Sequence, residues 1–185
     1  IDGSNNMRPH QTPKPFLGFS IAIGSLKEFF NKGSLDSVEV GLIKNIFYDT
    51  EFFSVKGEGS FLNSNKLQSS QLSDLETAIL GTSLDKRGQK LKDIFDKGVF
   101  DLLLSTYCQR RIGSTALDLC QVATGDYDLY VSMSGGVKVH DIVAAKLIIE
   151  EAGGVVELYD SDNKKVTKQK ILRKLFILGN QGIKD

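Results

Sequence analysis

Tryptophan is absent from this chain, and cysteine and histidine occur twice each in 185 residues. Cys108 and Cys120 cannot make the disulfide framework of a small secreted domain, and a reduced, intracellular protein, here a cytoplasmic one, is the expectation. His10 and His140 have no second His or Cys at the spacing a zinc site requires. A Gly-x-Ser-x-Gly elbow is missing and no His lies near Cys108, so nucleophilic serine or cysteine catalysis has no support. The sequence lacks an uninterrupted apolar run of about 18 residues, which argues against a membrane span. Net charge is also lacking: 23 basic residues offset 23 acidic ones. That balance removes any global electrostatic case for nucleic acid or an anionic membrane as partner. The local run of Lys164, Lys165, Lys168, Lys170, Arg173 and Lys174 reads as a solvated surface, tempered by Asp160 and Asp162.

What is present suffices for a substantial core, since 41% of the residues are hydrophobic. Prolines at 9, 13 and 15 make residues 7–15 a loop. Residues 16–23 read as a buried strand, and residues 37–44 and 47–55 as two strands of a hairpin turning at Lys44-Asn45. Gly57-Glu58-Gly59 reads as a turn rather than a phosphate loop, because neither nucleotide-binding pattern comes after it. Further strands are expected at 77–80, 100–104, 127–133, 155–159 and 175–178, and a surface helix at 86–95. Ala116, Leu119, Cys120 and Ala123 recur at helical spacing up to Gly125, which places Cys120 in the core. Ile142, Ala145, Ile148 and Ile149 do the same in a helix over 141–152 that Gly153-Gly154 ends. The alternation of helix and strand indicates an α/β layered protein, with no linker or repeat to mark a domain boundary within 1–185.

Two carboxylates carry the chemistry. Asp2 opens the string Ile1-Asp2-Gly3-Ser4-Asn5-Asn6, and Asp141 opens the apolar run that ends Glu150-Glu151-Ala152-Gly153-Gly154. A hard cation such as Mg²⁺ takes oxygen ligands, among them a few carboxylates, water and substrate phosphate. If Gly3 and Ser4 begin a helix, their N–H groups favour an anion, and Gly3 lets it approach the backbone. Each element also has a plainer reading: Asp-Gly is a common turn pair, and Asp is a common helix N-cap.

Ile1-Asp2-Gly3-Ser4-x-Asn6 resembles the end of the Asp-Pro-Ile-Asp-Gly-Thr/Ser-x-Asn signature of the inositol monophosphatase family. The resemblance recurs in order along the chain. Gly57-Glu58-Gly59-Ser60-Phe61-x-Asn63 is similar to the family's Gly-x-Gly-Ala-x-x-Asn hairpin. Residues 113–125 with Asp128-Leu129-Tyr130 are similar to the helix and strand before its last metal ligand. Asp141, Ala144-Ala145 and Glu151-Ala152-Gly153-Gly154 match its Trp-Asp-x-Ala-Ala/Gly…Glu-Ala-Gly-Gly signature. The resemblance implies a five-layer αβαβα sandwich, of which residues 1–185 would be the C-terminal portion lacking the N-terminal part. It implies a phosphatase that uses two or three Mg²⁺ ions, held by the Asp2 and Asp141 carboxylates and the Ile1 carbonyl, to activate water. Ser4 takes the family's Thr position, with its hydroxyl on the attacking water and its N–H, like that of Gly3, on phosphate. Thr115 falls where the family backbone meets the sugar ring.

The departures bear on substrate and completeness. His140 stands where the family has Trp, and Ser134, seven residues before Asp141, where inositol-selective relatives carry a substrate-binding Glu. Arg110 sits where archaeal members acting on both inositol monophosphate and fructose 1,6-bisphosphate carry a substrate-binding Arg; a surface Arg paired with a carboxylate is the alternative. An Asp-Pro pair, an earlier Glu ligand and the acidic residue that helps activate water would lie before Ile1, so the 185-residue chain alone is expected to be inactive. The function expected is hydrolysis of a small sugar or polyol phosphate by a homodimer, with no nucleic-acid or membrane partner. A 3′-phosphonucleotide phosphatase and a catalytically inactive interaction module are the alternatives.

Overall fold

Five antiparallel strands, the last four of them joined by tight turns, make the first of two sheets. The computed structural model describes residues 1–7, 14–25, 27, 35–83, 100–132, 139–158 and 176–179. Strands β1 (Gly18–Gly24), β2 (Val38–Asn45), β3 (Thr50–Val55), β4 (Gly59–Leu62) and β5 (Asn65–Lys66) pair antiparallel in chain order. The second sheet holds β6 (Ile79–Ser83), β7 (Cys108–Arg110), β8 (Leu129–Ser132), β9 (Val155–Leu158) and β10 (Phe176–Gly179) in the order β7-β6-β8-β10-β9. There β6 runs parallel to β7 and β8, while β10 is antiparallel to β8 and β9.

Helices α2 (Thr115–Thr124) and α3 (Val139–Glu151) pack on each other between the sheets, α3 against β1 to β4 and α2 against β6, β8 and β10. That position explains their composition, since a helix covered on most sides is apolar on most sides. Ala116, Leu119, Cys120 and Ala123 of α2 and Ile142, Ala145, Ile148 and Ile149 of α3 are all buried, as their spacing predicts. Helix α1 (Phe100–Ser105) lies on the other face of the second sheet, where Leu102 and Leu103 pack on Leu80, Leu129 and Val131. Among the described residues, a sheet, a helix pair, a sheet and a helix thus stack in that order.

Three polar clamps lock α3 to its surroundings. The Glu151 carboxylate accepts hydrogen bonds from the N–H groups of Gly57 (2.8 Å) and Gly59 (3.0 Å). The donors of the glycine-rich turn are therefore spent on the protein's own carboxylate, in keeping with a turn between strands. Ser60 donates to the Ile148 carbonyl at 2.5 Å. Lys146 donates to Asp36 at 2.6 Å and to both oxygens of Glu150. Burial disfavours its charge, but these carboxylates outweigh burial and raise its pKa above the ordinary lysine value.

Four expectations change. Residues 100–104 form a helix, not a strand: a five-residue apolar run carries too little periodicity to distinguish the two, and packing on the second sheet decides. The hairpin turns at residues 46–49 rather than at Lys44-Asn45, because buried Asn45 pairs with Thr50 and its side chain accepts the Phe47 N–H. Strand β1 is buried on one face only, and Phe19, Ile21 and Ile23 are 42%, 39% and 59% exposed. Strand β7 was not foreseen. The helix expected at 86–95, most of the loop at 7–15 and the ends of the strands at 133, 159 and 175 lie outside the described residues.

Gly41 sets the distance between β2 and α3. A Cβ there would stand 2.9 Å from the Ala144 carbonyl oxygen. Gly41→Val is expected to lower the free energy of unfolding by about 1–3 kcal/mol through overpacking, measured by urea titration; an unchanged midpoint would show that α3 shifts at no cost.

Candidate active site

Asp2 is pinned before its side chain makes any contact. Its N–H donates to the Gly18 carbonyl at 2.8 Å and its carbonyl accepts the Gly18 N–H at 2.9 Å, which fixes it beside the start of β1. Its Oδ2 then accepts the Ser114 hydroxyl and the Ala116 N–H, both at 2.8 Å. The carboxylate thus sits on the N-terminus of α2, where backbone donors lack intrahelical partners and the helix dipole is positive. Two motifs 112 residues apart meet at one oxygen.

Glycine is required on both sides of this junction. Gly3 has φ +90°, and a Cβ on it would lie 2.5 Å from the Phe16 carbonyl oxygen and 3.0 Å from Ser114 Cβ. Gly113 has φ +89°, and a Cβ on it would lie 2.6 Å from Asn6 Oδ1. Both conformations are ones that L side chains rarely adopt. The space beside Gly3 is filled by protein, so close chain packing explains this glycine as well as an approaching phosphate would.

Ser4 is exposed and opens a single 3₁₀ turn, Ser4–Asn6, rather than the expected helix, so no helix dipole acts at its N–H. The helix terminus at the site is that of α2, and Asp2 occupies it. Asp141 lies inside the first turn of α3, which begins at Val139, and is not its N-cap. Its side chain is 15% exposed, with His140 Nε2 3.4 Å from Oδ1. Thr115 is the first residue of α2 and is half-buried. Arg110 is exposed at the end of β7, with Nη1 3.4 Å from the Gln109 carbonyl. Ile1 is exposed, and Ser134 lies outside the described residues. Among the described residues no three His, Cys, Asp or Glu side chains gather as a cation site.

The structure adds three residues to the site. Asn6 donates to the carbonyls of Phe16 (2.9 Å) and Ile112 (3.3 Å). Ser114 caps α2 while donating to Asp2. Asp118, 2% exposed, accepts the N–H groups of Ile112 (2.7 Å) and Gly113 (3.1 Å) and the hydroxyl of Tyr127 (3.2 Å). Its signal in the sequence is a charged residue inside an otherwise apolar helical stretch, a placement rare without partners.

Residues 19–182 match the model of the inositol monophosphatase family. A fructose-1,6-bisphosphatase/inositol-1-monophosphatase of Methanothermobacter thermautotrophicus is 34% identical over 157 residues, covering 84% of this chain and 52% of that protein. Mouse inositol monophosphatase 1 is 31% identical over 84% of this chain and 52% of its own length. A Haemophilus influenzae protein named Nus factor SuhB is 31% identical over 93% of this chain and 60% of its own length. The chain therefore spans little more than half the length of these curated relatives. Among solved structures, an inositol monophosphatase from Anabaena superposes with a TM-score of 0.65 at 32% identity, over 78% of this chain and 55% of that one. A Thermotoga maritima IMPase superposes with a TM-score of 0.69 at 26% identity, over 97% of this chain and 61% of that one.

Burial pushes the Asp118 carboxyl up to about 6 from an ordinary 3.8, against the opposing effect of its hydrogen bonds. The folded state therefore holds this proton more tightly than the unfolded chain. The group favours folding at acid pH, and that contribution is lost as pH rises from about 4 to about 6. The stability of the unsubstituted protein relative to Asp118→Asn is expected to fall by up to about 3 kcal/mol across that window and to stay flat above it. Urea titrations of both proteins at stepped pH give the difference; one that rose with pH would contradict the assignment.

Proposed function

We propose, since the chain belongs to the inositol monophosphatase family, that it carries the C-terminal part of a Mg²⁺-dependent phosphomonoesterase acting on a small sugar or polyol phosphate. The observation that supports this reading best is the Asp2 carboxylate held by Ser114 and Ala116. Both donors engage Oδ2, which leaves Oδ1 to a cation, and an oxygen donor of this kind suits Mg²⁺. Asp141 would supply a second carboxylate and Ile1 a carbonyl. With two or three Mg²⁺ bound, the site would gain the Lewis acidity that makes water a nucleophile at neutral pH and offsets the charge on phosphate.

The chain's own residues then have defined tasks. The N–H groups of Gly3 and Ser4 hold phosphate, and the exposed Ser4 hydroxyl orients the water. That water attacks phosphorus, the ester P–O bond breaks, and the leaving oxygen takes a proton to give the free alcohol and inorganic phosphate. The Thr115 backbone meets the sugar, and Arg110 reaches a second phosphate or a hydroxyl with its fixed fork of donors. Ser134 removes an acceptor for inositol hydroxyls and also a source of repulsion toward an anionic substrate. The whole of 1–185 is read as one domain of a cytoplasmic homodimer. Among the described residues no helix is long and apolar enough to cross a membrane.

Relatives named Nus factor SuhB support a second reading, an interacting module without turnover. A 3′-phosphonucleotide phosphatase is the other alternative within the enzyme class.

In the full-length protein, Asp141→Asn is expected to reduce Mg²⁺-dependent phosphate release at least a hundredfold while leaving the circular dichroism spectrum intact, because the site loses a charge that concentrates cations. Turnover unchanged at saturating Mg²⁺ would overturn Asp141 as a metal ligand, and absence of turnover from the unsubstituted full-length protein would favour the interaction module. Fructose 1,6-bisphosphate is expected to be hydrolysed at least as efficiently as inositol 1-phosphate, and Arg110→Ala to lower kcat/KM more for the bisphosphate. An equal loss on both substrates would restrict Arg110 to the common phosphate or to structure.

A further inference from the structure

An ionisable side chain in the middle of a core demands a reason, because its desolvation costs several kcal/mol that an apolar residue of similar size would not. Asp118 is such a group. It lies on α2, four residues beyond Ser114, among Leu117, Leu119 and Cys120, all of them buried. Its two oxygens are directed at one short stretch of chain, with Oδ1 accepting the Ile112 N–H and Oδ2 the Gly113 N–H. Tyr127, from the loop before β8, adds a hydroxyl to Oδ1. On the other side Asn6 donates to the Ile112 carbonyl. The Ile112-Gly113 segment is thereby gripped from both sides by side chains, at a place where it belongs to no strand or helix.

Ser114 is the next residue in the chain, and its hydroxyl donates to Asp2; two residues further on, the Ala116 N–H donates to the same oxygen. We propose that Asp118 is a positioning residue for the Asp2 cation ligand: by fixing residues 112–113 it places the Ser114 hydroxyl and the Ala116 N–H on Asp2 Oδ2 and so orients the whole carboxylate. The proposal rests on the reading of Asp2 as a cation ligand. It accounts for the retention of a carboxylate whose burial outweighs three hydrogen bonds. A purely structural role, closing the first turn of α2, would predict effects on stability alone. A positioning role predicts an effect on cation affinity transmitted through Ser114.

The test uses the full-length protein and Mn²⁺ as probe, with free Mn²⁺ read by electron paramagnetic resonance and folding checked by circular dichroism and thermal melting. Asp118→Asn places an amide N–H₂ against backbone donors and is expected to weaken Mn²⁺ binding roughly tenfold, the scale typical of lost support to a metal ligand. Ser114→Ala is expected to weaken binding by a similar factor. The double variant is expected to bind within about twofold of Asp118→Asn, because both substitutions interrupt one chain of contacts. A lowered melting temperature with the Mn²⁺ Kd unchanged in Asp118→Asn would overturn the proposal, as would losses that multiply in the double variant. If Asp118→Asn does not fold, Ser114→Ala decides: unchanged Mn²⁺ affinity there overturns the proposal. Failure of the unsubstituted protein to bind Mn²⁺ would overturn the cation-site reading itself and this proposal with it, an outcome distinct from normal binding that ignores Asp118.

Discussion

The junction between the Asp2 segment and α2 depends on one carboxylate oxygen, Asp2 Oδ2, and its two donors at the start of that helix. The bonds are charge-assisted and lie at a helix terminus, which makes them stronger than neutral ones of the same length. They join the edge of the first sheet to the helix layer and, through α2, to the second sheet. Were the Ser114 loop displaced, Asp2 would remain fixed in its backbone by Gly18, but its side chain would lose its orientation. The left-handed glycines on both sides, Gly3 and Gly113, let the two segments come this close.

The middle helix α3 is held by the opposite kind of logic. Its apolar residues bury themselves between sheets without choosing a register, and polar groups make the choice. Glu151 fills the donors of the β3–β4 turn, Ser60 reaches the Ile148 carbonyl, and Lys146 draws in Asp36 from ahead of β2. Each of these contacts links α3 to the first sheet or its approaches, and together they define the height of Asp141 above that sheet. Hydrophobic burial supplies the non-directional part of the attachment and the hydrogen bonds supply position.

Beyond the Lys44–Glu51 ion pair, the outer face of the first sheet is apolar without being covered by any described helix. Ile21, Leu42, Phe53 and Phe61 lie in one cross-strand row of the register, flanked by Ile23, Val40 and Val55. Ile21 and Phe53 are more than a third exposed. The second sheet differs, because Leu102 and Leu103 of α1 protect its far face. A row of this kind matches the sandwich plan, in which a sheet buries both faces.

Helices α2 and α3 were legible in the amino-acid order alone, as were their glycine ends, the turn at Gly57-Glu58-Gly59 and the succession of motifs. These depend on periodicity and on local backbone preference, which act within a few residues and need no partner. The pairing of Asp2 with Ser114, the filling of the Gly57-Glu58-Gly59 turn by Glu151 and the burial of Asp118 under residues 112–113 were not. They join residues separated by many turns of chain, or, for Asp118, depend on how the preceding loop folds back over the helix. The helix at 100–105 and the open face of β1 were decided in the same way: a five-residue apolar run fits either state, and an alternating apolar strand fits one buried face or two. Sequence determined which segments are apolar and at what period, because that is a property of neighbours; the tertiary structure alone decided what each segment faces, because that is a property of contacts made after the chain has folded.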